Sequence, residues 1–214
     1  MTETIRTLIL PALVLVAAVL AIWSQAKGRK RVHYVAKPLA TALIIAVAAL
    51  AATPVPAVYK TLILAGLLCS LLGDIALMFP EKWFTAGLVA FLAAQVLYIF
   101  AFKPAAGHPI SVGAFLPFIL FGLLMFFLLA PGLGPMKLPV LIYIGAITTM
   151  AGFASDRYVD LGGTRALLAF IGAVLFLISD SVLAYDRFGK KFGLARILVL
   201  ATYFPAQLLI ALSV

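Results

Sequence analysis

The chain alternates apolar runs of near-constant length with short breaks that carry Pro, Gly or charge. The runs are Thr7–Trp23, Lys37–Ala52, Tyr59–Phe79, Trp83–Phe102, Val112–Leu129, Leu138–Phe153, Arg165–Tyr185 and Leu194–Leu212. About 20 helical residues cross the roughly 30 Å hydrocarbon core of a bilayer, so the pattern predicts eight membrane spans. The runs are continuous, rich in Leu and Ala, and lack the period-two alternation of strands. Links as short as Thr53-Pro-Val-Pro and Pro80-Glu-Lys predict antiparallel neighbours. The expected fold is an all-α integral membrane bundle of about eight transmembrane helices. At 214 residues the chain has room for one polytopic transmembrane domain, residues 1–214, and no separate soluble one.

Composition supports the membrane reading: 65% of residues are hydrophobic and 11% charged, more apolar surface than a water-facing fold can hide. The net charge of +9 does not point to nucleic acid, because the basic residues sit between apolar runs and not on one polar face. They read as topology signals. With the N-terminus outside, eleven Lys and Arg fall on the inner side and five, Arg6, Lys60, Lys103, Arg157 and Arg165, on the outer side. That bias predicts both termini outside, in a multi-pass protein of a bacterial inner (plasma) membrane. The basic inner loops would also attract anionic lipid headgroups. Ser24-Gln25-Ala26 loosely fits a signal-peptide cleavage site, but the basic Lys27-Gly-Arg-Lys-Arg that follows is a cytoplasmic anchor, so the first run is kept as a span.

Three ordered matches four spans apart suggest an internal duplication. Leu72-Gly-Asp-Ile-Ala-Leu-Met resembles Ile178-Ser-Asp-Ser-Val-Leu-Ala, Ala94-Gln-Val-Leu resembles Ala206-Gln-Leu-Leu, and Lys37-Pro resembles Lys137-Leu-Pro. A parallel four-plus-four repeat would leave this trace.

Asp74 and Asp180 are the informative pair. A carboxyl group within a span costs about 2.5–3.5 kcal/mol on insertion scales and so normally faces the bundle interior or a wet cavity. Each lies five residues before the predicted inner end of its span, at matching depth. Such a pair, close together and desolvated, resists double ionisation and supplies a general acid and a general base. Acetal and enol-ether cleavage requires that combination. The plainer reading is two acids that only hold helices together through hydrogen bonds. Gln95, Gln207, Tyr98, Tyr143, Tyr203, Ser179 and Lys37 are the candidate substrate-binding residues around the pair; each could equally be packing, an anchor or an interhelical hydrogen bond. A nucleophilic serine is less supported, since Gly-x-Ser-x-Gly is absent and no His falls in a predicted span. Asp156, Arg157 and Asp160 read as a solvated outer loop, and Asp186 with Arg187 as a surface pair. No metal site or cofactor is expected. His33 and His108 lie in separate predicted loops, and the two acids with an amide lack a third acid or a His to hold a cation. Cys69 is the single cysteine, so no intramolecular disulfide forms.

Lys37-Pro-Leu, the two Asp-centred motifs, Pro139-Val-Leu-Ile-Tyr143 and Tyr203-Phe-Pro-Ala-Gln-Leu-Leu-Ile210 together resemble the YhhN-like membrane proteins, the family that includes the animal lysoplasmalogenases. The resemblance covers nearly all the chain after the first run. It implies hydrolysis of the vinyl-ether bond of a lysophospholipid, to a fatty aldehyde and a glycerophospho-headgroup, with the family's two acidic motifs falling on Asp74 and Asp180. In the fourth span it implies His-x-x-Tyr where this sequence has Gln95-Val-Leu-Tyr98. Two other readings use the same residues: a proton-coupled small-molecule transporter, and a non-catalytic lipid-binding membrane protein.

Overall fold

The computed structural model describes residues 8–52, 55–104 and 109–214. The described residues form eight α-helices: α1 (Leu10–Ala26), α2 (Lys30–Leu50), α3 (Ala57–Leu77), α4 (Pro80–Phe102), α5 (Val112–Leu129), α6 (Lys137–Leu161), α7 (Gly163–Phe188) and α8 (Ala195–Leu212). Two short 3-10 turns, Ala130–Gly132 and Gly134–Met136, join α5 to α6. Seven of the helices are long and apolar enough to cross a membrane, and α1, at 17 residues, is a shorter apolar one. The protein is an integral, multi-pass helical membrane bundle.

Its surface is inverted relative to a soluble fold. Leu116, Leu120, Leu124 and Phe127 on α5, and Leu15, Val16 and Val19 on α1, face outward. The interior instead collects small residues and polar groups. Ala40, Ala94, Ala151, Ala173 and Ala206 are fully buried and let helices approach closely, as bundles that gain nothing from hiding Leu require. Gly172 shows how close: a Cβ there would lie 2.8 Å from the backbone oxygen of Ala206, so α7 and α8 touch through backbone.

The packing shares one feature with the expected four-plus-four repeat. Sequential neighbours pack pairwise except α4 and α5, and the long-range contacts of α2 on α8 have a counterpart in those of α6 on α4. Adding four to each helix number, counted around a cycle of eight, converts the first of these pairings into the second, whereas the packing of α1 on α8 has no counterpart of similar extent between α5 and α4 among the described residues.

Several boundaries differ from the sequence expectation, each for a physical reason. Helix α2 starts at Lys30 and not at Lys37, which places His33 inside a helix and not in a loop. Helix α6 continues past Phe153 to Leu161, so Asp156, Arg157 and Asp160 are helical and not a loop. Asp156 is buried and accepts a 2.9 Å hydrogen bond from the Ser111 N–H at the start of α5, while Arg157 covers the Tyr59 ring at 4.6 Å. Charge ends an apolar run but does not end a helix, because long side chains carry their heads to water from a helical backbone. Asp186 and Arg187 do not pair with each other: Asp186 accepts from the Phe192 N–H, and Arg187 lies 4.6 Å over the Phe84 ring. Gly162 alone separates α6 from α7, at φ 59° and ψ −161°, a conformation that essentially only glycine adopts. Arg6, Thr7, Thr53, Pro54 and His108 lie outside the described residues.

Candidate active site

The acid of α3 sits in a nest made by α2 and α8. Lys37 and Thr41, four residues apart and so on one face of α2, both reach it. Lys37 Nζ lies 3.2 Å from Asp74 Oδ1, the single ion pair among the described residues, and Thr41 Oγ1 donates to Oδ2 at 2.6 Å. From α8, the Tyr203 hydroxyl donates to the same Oδ2 at 2.8 Å. Asp74 is 1% exposed.

The acid of α7 sits in the corresponding nest made by α6 and α4. The Tyr143 hydroxyl donates to Asp180 Oδ2 at 2.5 Å and Gln95 Nε2 donates at 3.1 Å. No cation lies within ion-pair distance of Asp180 among the described residues. The two nests therefore correspond helix by helix under the four-helix offset but differ in charge: Asp74 has a lysine and Asp180 has only neutral donors.

One polar band joins them. Tyr98, one turn beyond Gln95 on α4, donates to Gln207 Oε1 at 2.8 Å. Gln207, one turn beyond Tyr203 on α8, donates to Ser70 Oγ at 3.1 Å, and Ser70 lies one turn before Asp74. Phe91, Phe176 and Tyr203 pack edge to face with ring centres 5.8–6.0 Å apart, each one turn before a member of this band. Gln95 Oε1 is buried without a hydrogen-bond partner among the described residues. Ser179 differs from the other candidates: its hydroxyl donates to the Val199 carbonyl and ties α7 to α8.

Both acid-bearing helices end at a cavity of about 620 Å³. Leu77 and Leu183, each three residues past its acid, line it, which is about 4.5 Å along a helix. Lys37 connects the cavity to the site, lining the first and pairing with Asp74. His33 also lines it, with Nδ1 3.1 Å from the Ala21 carbonyl. No group of three or more His, Cys, Asp or Glu side chains suited to a metal ion occurs among the described residues.

A family model for the YhhN family matches residues 32–214, which include every residue of both nests. The chain belongs to the YhhN family. Among the proteins to which this YhhN-family chain is similar, lysoplasmalogenase TMEM86B of Sus scrofa is 38% identical over 157 residues, covering 73% of this chain and 64% of that protein. Lysoplasmalogenase TMEM86A of Bos taurus is 32% identical over 159 residues, 72% of this chain and 65% of that protein. The membrane protein YhhN of Escherichia coli O157:H7 is 29% identical over 202 residues, 94% of this chain and 95% of that protein. The match thus spans less than two thirds of the length of the animal relatives. No solved structure gives a significant match.

Of the residues singled out from sequence, Lys37 and Tyr203 reach Asp74, Gln95 and Tyr143 reach Asp180, and Tyr98 with Gln207 links the two. Thr41 went unnoticed in the sequence, although its place four residues after Lys37 was a usable signal. Phe91 and Phe176 carried no signal that set them apart from other span phenylalanines.

Proposed function

We propose that this protein hydrolyses the vinyl-ether bond of a lysophospholipid, releasing a fatty aldehyde and a glycerophospho-headgroup. The observation that carries this reading is the unequal pair of buried carboxyl groups: one paired with Lys37, the other held by neutral donors alone. The animal relatives named lysoplasmalogenase point to the same chemistry.

An unpaired charge is costly inside a bilayer, whereas a neutral carboxylic acid is not. Asp180 is accordingly assigned as the proton donor and Asp74 as the standing carboxylate. With both donors on Asp180 Oδ2, Oδ1 is left to carry the proton. That proton goes to the vinyl carbon remote from the ether oxygen, leaving an oxocarbenium-like cation on the carbon beside it. The Asp74 carboxylate steadies this cation and takes a proton from the water that adds there. The hemiacetal then collapses: Asp180 takes back a proton from its hydroxyl, the bond to the glycerol oxygen breaks, that oxygen receives the proton held by Asp74, and the aldehyde leaves with both acids restored. The unpartnered Gln95 Oε1 is the group we assign to orient that water, in the span position where the family resemblance implies a His. The basic cavity is taken as the cytoplasmic, inner-leaflet entrance of a bacterial inner membrane.

The test is aldehyde release from purified protein supplied with lysoplasmalogen. Asp74→Asn and Asp180→Asn should each lower turnover by at least about 100-fold, the scale of a lost general acid or base. Turnover surviving in both variants would remove the mechanism. Solute uptake by proteoliposomes with no aldehyde would replace it by transport.

A further inference from the structure

The cavity beyond the acids has a charge pattern that the hydrolysis itself does not need. Six cations line it: Lys30, Lys37, Lys82, Arg187, Lys191 and Arg196. Glu81 and Asp186 are its acidic residues, and Asp186 already accepts from the Phe192 N–H. Lys37 is neutralised by Asp74 at the inner end, and no other lining cation lies within ion-pair distance of a carboxylate among the described residues. Lys82 and Arg187 are held over the rings of Trp83 and Phe84, which positions them without cancelling their charge. The entrance is thus a concave, positively charged chamber with one buried lysine at its floor.

A zwitterionic headgroup would bring a phosphate that this chamber suits and an amine that it repels. From this we infer that the cavity is a headgroup subsite selecting lysophospholipids whose phosphodiester headgroup carries net negative charge, over zwitterionic ones with the same tail. The inference rests on the proposed lysophospholipid substrate and adds its headgroup class. Rim cations such as Lys30 and Arg196 supply the attraction, while Lys37 marks where the phosphate stops and the glycerol passes inward. The same phosphate chemistry is offered by soluble phosphoesters, but the apolar Leu77, Met78 and Leu183 in the lining favour a ligand with a tail.

Binding can be read without turnover by using saturated 1-O-alkyl ether lipids, which lack the vinyl bond. The purified protein in neutral detergent is titrated with 1-O-alkyl lysophosphatidylglycerol, 1-O-alkyl lysophosphatidylcholine of equal tail length, and glycerol 3-phosphate. The anionic lipid should bind roughly tenfold more tightly than the zwitterionic one, as a few near-surface cations would give. The preference should shrink in Lys30→Gln and in Arg196→Gln, most in the double variant, and fade with added salt. Equal affinity for the two lipids, or a preference untouched in the double variant when its thermal midpoint is unchanged, overturns the inference. Glycerol 3-phosphate binding as tightly as the anionic lipid overturns the assignment to a lipid. Anionic preference without aldehyde from any lysoplasmalogen would uphold the subsite and remove the catalytic reading alone.

Discussion

At the scale of single residues, the two acids differ in what would happen if a partner were removed. Lys37 and Asp74 form a buried ion pair, and taking away one member of such a pair leaves an uncompensated charge that costs about 3–5 kcal/mol. Lys37→Met should therefore lower the thermal midpoint in detergent well below that of Lys191→Met, which changes an exposed cation. Adding Asp74→Asn to Lys37→Met should restore part of the loss, the signature of a direct pairwise coupling. A double variant no more stable than Lys37→Met would mean that the lysine stabilises the bundle by some other contact. Much of this chemistry was legible in the sequence, because an acid in an apolar run is an anomaly that demands an explanation. The partners were less legible: Tyr143 was one candidate among several, and Thr41 looks like an ordinary helix residue until another helix brings a carboxylate against it.

At the scale of helices, the close approach of α7 and α8 makes a sharp prediction. A methyl group at Gly172 meets the Ala206 backbone oxygen and Ile210, and backbone cannot step aside as a side chain tip can. Gly172→Ala should lower stability by about 1–3 kcal/mol, the usual cost of overpacking. Gly145→Ala, where nothing lies within 4 Å, should be neutral or slightly stabilising. Thermal unfolding of the two variants side by side checks this, and equal midpoints would mean that the helices separate freely. The order and type of the helices were readable from apolar periodicity. Their ends were not, as α2 and α6 show, because hydropathy records where the hydrocarbon stops and hydrogen bonding records where the helix stops. The residues of α6 beyond Phe153 hold Asp156 in the interior, a placement that depends on the start of α5 and cannot be read from α6 by itself.

At the scale of the whole molecule, the basic cavity and the opposite end of the bundle should face different compartments. A cysteine introduced at Lys191, in a Cys69→Ala background, should react with a membrane-impermeant maleimide only after the cytoplasmic side is opened. One at Val159, exposed near the end of α6, should react from outside in intact cells. The reverse pattern would invert the topology and move the substrate entrance to the outer leaflet. Of the three short sequence matches that suggested a four-plus-four repeat, the two Asp-centred motifs lie in nests built from corresponding helices, while Lys37 is buried against Asp74 and Lys137 is exposed. What they could not convey is that each acid takes hydrogen bonds from both halves: Asp74 in the first half is held by Tyr203 of the second, and Asp180 in the second by Gln95 of the first.

This interlock imposes a timetable on synthesis. When α3 enters the membrane, α8 has not yet left the ribosome, and Asp74 must wait without its tyrosine. Only Lys37 and Thr41, already inserted on α2, can keep company with it in that interval. The lysine is thus a temporary escort during assembly before it is a floor for the finished chamber, and a nascent chain arrested before α8 would carry one acid half-dressed and neither nest linked to the other.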